Sequence, residues 1–179
     1  YPVKENLNPV PLSCYGVSKF SSEQYLNIFN RKLPSISLRM FNVYGPGQDM
    51  DNMKQGMVSI YLSQAIKKRS ILVKGSLSRF RDFIFIDDVV EVWFRASFNK
   101  NVINQAINLG TGIKTNVSEI LEIIKDITKI DKISLEEGTP CDQLGIYSDN
   151  TKLANILDFK PKIKLVDGLN IFYEWSREI

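Results

Sequence analysis

Hydrophobic residues along the chain follow two spacings, one typical of helices and one typical of strands. Apolar residues that recur three and four positions apart predict helices, at 18–32, 57–68, from about 88, from about 117, and at 166–177. Short alternating or continuous apolar runs predict strands, at 36–40, 71–74, 83–86, 106–109 and, as an edge strand, 133–136. Because helices and short strands alternate throughout, the chain is expected to have an α/β fold.

The third predicted helix follows a strand that is apolar at every position and therefore buried on both faces. Asp87 or Asp88 is expected to cap this helix, since a carboxylate accepts hydrogen bonds from the first free N–H groups. In that arrangement Val90, Trp93 and Phe94 share one helical face. We therefore expect these three side chains to point into the core.

Two further helix starts and one loop are marked by polar residues, glycine and proline. Asn116 with Glu119 three positions later predicts a capping box. Asp149 is expected to cap a short helix that extends to Leu157. The segment 42–47 contains glycine, proline and asparagine after a predicted strand, and we expect a loop there.

Composition excludes several classes of function. The chain has 179 residues, 44% hydrophobic and 24% charged, which suffices for an ordinary globular core. It contains no histidine, which excludes histidine triads and zinc sites built on histidine. Any proton transfer must therefore use Tyr, Lys, Asp, Glu or Cys. A net charge of +3 is too small to indicate a nucleic-acid partner.

Cysteine usage and hydropathy indicate the compartment. Cys14 and Cys141 are far apart and outside any paired motif, so neither a disulfide framework nor a metal site is expected. No apolar run approaches 18 residues, and the first 20 residues lack the apolar core of a signal peptide. These features predict a cytoplasmic protein without a membrane span.

Tyr15 and Lys19 are the strongest local indication of chemistry. Four residues apart on a helix, they would lie one turn apart on the same face. A nearby ammonium stabilises a phenolate, and such a tyrosine could take a proton from a sugar or alcohol hydroxyl. Taken alone, the Tyr-x-x-x-Lys pattern is weak evidence, because it arises by chance in many chains and an exposed helix start explains it better.

Further blocks follow Tyr15 and Lys19 in a fixed order. They are L-R-M-F-N-V-Y-G-P-G at 38–47, R-D-F-I-F-I-D-D-V at 81–89, N-L-G-T-G at 108–112, T-P-C-D at 139–142 with Y-S-D and Lys152 after it, and F-K-P at 159–161. Together the blocks resemble the extended short-chain dehydrogenase/reductase family, the NAD-dependent nucleotide-sugar epimerases and dehydratases. The resemblance covers nearly all of the chain.

The resemblance implies a catalytic pair and a cofactor site. Tyr15 would be the catalytic base, and Lys19 would stabilise the phenolate and hold the cofactor ribose. The implied cofactor is NAD, and the residues implied to contact it are Tyr15, Lys19, Phe41, Asn42 and Val43.

The resemblance also implies a nucleotide-sugar substrate. The residues implied to bind it are Asn42, Gln55, Gly56, Leu72, Lys74, Arg81 and Asp142. An amide at the end of a strand and a planar guanidinium both suit a diphosphate, as expected for Asn42 and Arg81. Alternatively, Asn42 could stabilise the turn before Gly45, and Arg81 could form a surface ion pair with Asp82. Packing could equally explain the apolar residues near Leu72.

Two departures from the family pattern leave the nucleotide open. Thr139 stands where the family has arginine, so one phosphate-binding side chain is missing. Cys141 stands where the family has glycine, which would alter the loop if that glycine has positive φ.

The resemblance implies the C-terminal part of a Rossmann-like parallel sheet together with a small α/β substrate-binding region. The sheet elements and the Tyr/Lys helix would occupy 1–52 and 76–112, and the substrate region 53–75 and 113–179. The family's Gly-x-x-Gly-x-x-Gly loop and its upstream catalytic Ser or Thr are not in the sequence, and Tyr1-Pro2 resembles the pair just after that Ser or Thr.

We therefore expect the C-terminal portion of an NAD-dependent nucleotide-sugar 4-epimerase that alone neither holds NAD firmly nor turns over. The complete enzyme is expected to be a homodimer that pairs through the Tyr/Lys helix. The alternatives are a nucleotide-sugar 4,6-dehydratase and a non-catalytic nucleotide-sugar-binding domain.

Overall fold

The structure, a computed structural model, describes residues 2–54, 56–138 and 144–178. Two predicted site residues, Gln55 and Asp142, lie outside the described residues, as do Thr139 and Cys141. The helices are α1 (Cys14–Phe29), α2 (Met57–Lys68), α3 (Ile86–Phe98), a 3-10 helix (Lys100–Val102), α4 (Val117–Thr128), α5 (Thr151–Leu157) and α6 (Leu165–Ser176). The strands are β1 (Ile36–Met40), β2 (Asn42–Tyr44), β3 (Ile71–Lys74), β4 (Phe80–Arg81), β5 (Phe83–Phe85), β6 (Gln105–Leu109), β7 (Thr115–Asn116) and β8 (Ile133–Glu136).

Parallel pairing dominates the described strands. β1 pairs with β6, β2 with β5, and β3 with β8, all parallel, whereas β4 and β7 are antiparallel. Parallel strands need crossover connections, and the segments between paired strands contain helices. α2 lies between β2 and β5, α2 and α3 lie between β1 and β6, and α3 and α4 lie between β3 and β8. The predicted α/β class is confirmed.

The polypeptide changes strand partner between β1 and β2. The N–H of Phe41 donates to the carbonyl of Leu109 at 3.0 Å, whereas the N–H of Asn42 donates to the carbonyl of Asp82 at 2.9 Å. Asn42–Tyr44, predicted as loop, is therefore a strand. Parallel pairing with the buried β5 overrides the turn signal of the glycine and proline that follow.

Two apolar clusters form the interior. The first lies among α2, β3, α4 and α6 and includes the fully buried Leu62, Ile124 and Phe172. The second packs α3 and α5 on β5 and β6, with Ile107 and Leu153 fully buried. The residues of α1, all of which the structure describes, include none that is buried.

The predicted start and buried face of α3 are wrong. Its N-cap is Phe85, without a side-chain cap. The buried Asp88 instead accepts hydrogen bonds from the backbone N–H of Lys162 and of Ile163, at 3.1 Å each. Val90, Trp93 and Phe94 are 57%, 50% and 67% exposed. The helix has two apolar stripes, and the one that packs on the second cluster consists of Val89, Val92 and Ala96.

The other predicted helix starts agree better with the structure. Asn116 and Glu119 form the predicted capping box. Asn150 is the N-cap of α5, but Asp149 accepts a hydrogen bond from the N–H of Thr151 at 2.9 Å. Hydrogen bonds from the side chain and then the backbone of Thr151 lower the pKa of Asp149. The predicted helix at 18–32 is displaced: α1 begins at Cys14, after an N-cap serine.

Candidate functional site

Tyr15 and Lys19 lie in the first two turns of α1. The Ser13 side chain accepts a hydrogen bond from the N–H of Gly16 at 3.1 Å and so starts the helix just before Tyr15. The Nζ of Lys19 is 5.4 Å from the centroid of the Tyr15 ring. The phenol is 66% exposed. The pair therefore shares one helical face, and its hydroxyl is accessible to a substrate.

An arginine of β1 holds α1 in place. Arg39 donates to both carboxylate oxygens of Glu23, at 2.9 and 2.5 Å, and to the carbonyl of Glu5 at 3.0 Å. The hydrogen bond with Glu23 raises the pKa of Arg39. This bidentate contact fixes the helix that carries Tyr15 to the strand that leads to Asn42. This contact was not predicted from the sequence, although a charged residue inside an alternating strand was a visible signal.

The predicted cofactor residues Phe41, Asn42 and Val43 lie where the chain passes from β1 to β2, and all three are half-buried. Both the N–H and the Nδ2 of Asn42 face the Asp82 carbonyl, at 2.9 and 3.3 Å. Asn42 therefore contributes to strand pairing with the β4–β5 segment. A turn before Gly45 is not the partner of this amide group.

Arg81 is the last residue of β4, and its side chain lies against backbone carbonyls of nearby residues. Its Nη1 donates to the carbonyls of Phe80 and Leu144, at 2.7 and 3.4 Å. The N–H of Phe80 also donates to Leu144, at 3.0 Å, and the Phe80 ring lies 6.2 Å from that of Tyr147. Asp82, the alternative ion-pair partner of Arg81, is fully buried, and its carboxylate accepts hydrogen bonds from Thr111 and Ser148. Arg81 is thus set at the junction of β4 with residues 144–147.

Leu72 and Lys74 lie on β3, half-buried and exposed respectively. The N–H of Leu72 donates to Oε1 of Gln64 at 2.6 Å. The carbonyl of Lys74 accepts a hydrogen bond from the Arg79 side chain, which connects β3 to the residues just before β4. β3 is therefore a neighbour of the Arg81 region.

Gly56 has a structural reason for being glycine. It lies at the N-cap of α2 with a φ of 94°, in the left-handed region that favours glycine. A Cβ atom would lie 2.4 Å from Oγ of Ser59, whose hydroxyl donates to the Gly56 carbonyl at 2.9 Å. The backbone conformation at the start of α2 therefore explains why position 56 is a glycine.

Asp82 is a buried residue that the sequence analysis did not identify as functional. One carboxylate oxygen accepts hydrogen bonds from the N–H and hydroxyl of Thr111, at 2.8 and 2.6 Å. The other accepts from the N–H of Gly112 at 3.0 Å and from the N–H and hydroxyl of Ser148, at 3.0 and 2.5 Å. Its partners lie 29 to 66 residues further along the chain, which a local sequence motif does not reveal.

Positive side chains surround this region. Arg79 and Arg81 flank Phe80, and the Nζ of Lys114 lies 4.4 Å from the centroid of the Phe80 ring. The backbone carbonyl of Lys74 accepts a hydrogen bond from the Arg79 side chain, so Lys74, Arg79, Arg81 and Lys114 form a cationic set on β3, on and just before β4, and in the loop before β7. Such a set favours a bound anion.

Other parts of the described structure are less suited to phosphate binding or to proton transfer. A cavity of about 300 Å³ is lined by Gln48, Asp49, Met50, Asp51, Ser63, Ile66, Lys67 and Ser176. Its two carboxylates disfavour a phosphate, and none of the predicted site residues that the structure describes lines it. Burial raises the pKa of Tyr44, whose hydroxyl donates to the Leu165 carbonyl at 3.4 Å, so this tyrosine is no base.

The described ranges contain neither a metal-binding cluster nor a helix that could cross a membrane. Residues 2–54, 56–138 and 144–178 contain no group of three or more Cys, Asp or Glu placed to hold a metal ion. In the same ranges, none of the helices combines the length and apolarity needed to cross a bilayer.

Comparison with known sequences identifies relatives of one family. Residues 2–110 match the profile of the NAD dependent epimerase/dehydratase family. The chain is 34% identical over 179 residues to a putative UDP-glucose 4-epimerase of Methanocaldococcus jannaschii. The match covers 98% of the chain and 57% of that relative. The chain thus spans little more than half the length of the curated relatives that it matches.

Solved structures show the same fold. A UDP-glucose 4-epimerase of Thermotoga maritima with UDP-glucose matches with a TM-score of 0.93 and 32% identity, over 99% of the chain and 58% of that protein. A UDP-glucuronic acid 4-epimerase of Bacillus cereus, in complex with UDP-glucuronic acid and NAD, matches with a TM-score of 0.90 and 27% identity, over 99% and 57%. The predicted Rossmann-like fold class is confirmed.

Proposed function

The chain belongs to the NAD dependent epimerase/dehydratase family, and we propose that it is the substrate-binding portion of an NAD-dependent nucleotide-sugar 4-epimerase. The observation that carries the proposal is the junction at Asp82. There Asn42, 39 positions before Arg81, donates to the carbonyl of Asp82, the next residue after Arg81, while Arg81 donates to the carbonyls of Phe80 and Leu144 beside the cationic set. An amide and a guanidinium so placed suit the diphosphate of a nucleotide sugar.

Tyr15 is the proposed acid and base in the complete enzyme. Its phenolate would accept the proton of the sugar 4-hydroxyl and later return it, while the nearby Lys19 ammonium stabilises the anion. The exposure of the phenol and the absence of histidine from the chain agree with this role. NAD, when bound, supplies the acceptor and donor of hydride. Lys19 and residues 41–43, at the carboxyl end of β1, are the residues of this chain proposed to hold it.

The rest of the cofactor site is proposed to lie on additional polypeptide. Relatives are longer than this chain, and α1 leaves Tyr25, Ile28 and Phe29 at least half exposed. We infer that the chain alone does not turn over, and that its exposed apolar surface is covered in the complete enzyme. Pairing of two copies through α1 would cover part of that surface.

Calorimetric titration with UDP-glucose tests the proposal. We expect UDP-glucose to bind far more tightly than NAD, and Arg81→Met to weaken it about 10- to 100-fold, since hydrogen bonds to charged groups are worth about 1.5–3 kcal/mol. Arg177→Met is the matched control, because Arg177 lies at the C-cap of α6 in an exposed pair with Glu174. GDP-, CDP- and dTDP-glucose establish which nucleotide is preferred.

Two results would contradict the proposal. One is no measurable binding of any of these nucleotide sugars. The other is equal affinity of the Arg81→Met and Arg177→Met variants.

A further inference from the structure

Asp82 joins three segments that are distant in sequence. Its carboxylate receives the five hydrogen bonds from Thr111, Gly112 and Ser148, while its own carbonyl receives both donors of Asn42. The residue is completely buried. A carboxylate in such a place is stable only with its hydrogen bonds satisfied, so these contacts fix all three segments relative to it.

The surroundings of Asp82 leave no space for adjustment. A Cβ atom on Gly110 would lie 2.4 Å from the Asp82 carboxylate and 2.5 Å from Oγ of Ser148. The loop after β6 therefore contacts the carboxylate directly through backbone. A longer side chain at position 82, such as glutamate, would collide with this loop.

The segment fixed through Ser148 is also the one that contacts Arg81. Leu144 accepts hydrogen bonds from the Phe80 N–H and from the Arg81 guanidinium, at 3.0 and 3.4 Å, and Gly145 forms a bridge with Phe80. Asp82 thus acts on Arg81 from two sides, as its neighbour in the chain and through residues 144–148. It acts on Asn42 through its carbonyl.

We propose that Asp82 is a positioning residue of the nucleotide-sugar site, which sets Asn42 and Arg81 for one diphosphate without touching it. This inference rests on the proposed function. Loss of the carboxylate at position 82 would then weaken substrate binding by more than the accompanying loss of protein stability explains.

Asp82→Asn is a discriminating change because it conserves shape. An amide has one acceptor oxygen and an NH₂ group, so at least one backbone N–H of Thr111, Gly112 or Ser148 would face another donor. The segment beside Arg81 would shift, and small displacements of binding groups are costly. Ser148→Ala is a milder change, since it removes a hydroxyl donor and keeps the backbone N–H.

Asp88 provides the matched control. It is also a buried aspartate, 3% exposed, and it also accepts backbone hydrogen bonds from a distant segment, at Lys162 and Ile163. Within the described part of the chain, Asp88 forms no hydrogen bond with Asn42, Arg81 or residues 144–148. Asp88→Asn therefore reports what the loss of a buried carboxylate does to stability alone.

The experiment measures UDP-glucose affinity by calorimetry, well below each variant's melting temperature, beside the melting temperature itself. We expect all three variants to melt lower, Asp82→Asn to bind about tenfold more weakly or worse, Ser148→Ala by a smaller factor, and Asp88→Asn with unchanged affinity. Unchanged affinity in both Asp82→Asn and Ser148→Ala would overturn the inference, as would equal weakening in Asp88→Asn. Failure of the unaltered chain to bind would instead overturn the proposed function on which the inference rests.

Discussion

α1 and α4 both carry apolar side chains at helical spacing, yet only α4 has a buried face. Ile120 and Ile124 of α4 are fully buried in the first cluster, whereas Ile28 of α1 is 72% exposed. α1 is held mainly by the polar contact of Glu23 with Arg39. Amphipathic spacing thus predicts a helix, but burial depends on whether the chain supplies a partner for its apolar side.

The same contrast appears at the two edges of the β1–β6 pair. The outer side of β6 is closed by charged side chains: Glu5 accepts a hydrogen bond from the N–H of Asn108 at 2.9 Å, and Lys152 donates to the carbonyl of Ala106 at 2.7 Å. Of the strands in the described residues, β1 pairs with β6 alone. Charged side chains commonly protect an edge strand from pairing with another strand. The side of β1 that faces away from β6 is therefore the edge suited to pair with a further strand.

The largest expected effect compares isoleucines on these two helices. Ile124→Ala should lower the free energy of unfolding by about 2–5 kcal/mol, because it leaves a cavity in a closed core. Ile28→Ala should change it by no more than about 0.5 kcal/mol, as for other exposed positions. Urea denaturation measures both. Similar losses would mean that α1 is covered in solution.

A second comparison uses glycines of α6 and α1. A Cβ on Gly168 would lie 2.3 Å from the Tyr44 hydroxyl, so Gly168→Ala should cost about 1–3 kcal/mol through overpacking. On Gly16 the nearest atom would be Cβ of Pro11, at 3.1 Å and in a loop, and Gly16→Ala should be neutral or stabilise by up to about 1 kcal/mol. Thermal melts of the two variants distinguish these outcomes. A larger loss at Gly16 would refute the contrast.

The third prediction concerns the attachment of α1. Glu23→Gln should weaken the bidentate contact with Arg39 and lower the local stability of α1 by about 1–2 kcal/mol. Amide hydrogen exchange should accelerate in α1 and stay unchanged in α4, because the two helices share no cluster. Glu122→Gln, on the exposed side of α4, is the control. Equal acceleration in both helices would show that α1 belongs to the main cooperative unit.

The smallest expected effect is a pH dependence at the surface of α3. Hydrogen bonds from Lys162 and then Arg95 lower the pKa of Glu91. A carboxylate with a lowered pKa in the folded state stabilises the protein above its unfolded pKa, about 4.3, and loses that contribution as the pH falls through the folded pKa. Melting temperatures between about pH 6 and 3 should therefore fall less steeply for Glu91→Gln than for the unaltered chain. Parallel curves would contradict this assignment.

Local patterns were sufficient to predict the elements with a single apolar face. α2, β1, β3 and β8 and the capping box at Asn116 follow from spacing and capping chemistry alone. α3 was placed with the wrong face because it has two apolar stripes, and only contacts with β5 and β6 decide between them. The strand Asn42–Tyr44 was missed because its pairing with β5 is a tertiary contact.

The residues of the candidate site were selected from local motifs, whereas the contacts between them could not be predicted from the sequence. The motifs around Tyr15, Asn42 and Arg81 are local, and the structure places each at a strand end or helix start. The contacts that join them, Arg39 with Glu23 and Asp82 with Ser148, span 16 and 66 residues. No spacing rule predicts which polar residues meet across such separations.

Amide hydrogen exchange, measured with and without UDP, tests most directly where the nucleotide binds. The site is proposed to lie at the cationic set on β3 and β4, and not on α1. UDP should slow exchange at Asn42, at 72–82 and at 144–148 and leave Cys14–Phe29 unchanged, because the nucleotide contacts are proposed at Asn42, on β3 and β4, and in residues 144–148. Protection confined to α1, or none in any segment at saturating UDP, would contradict the account.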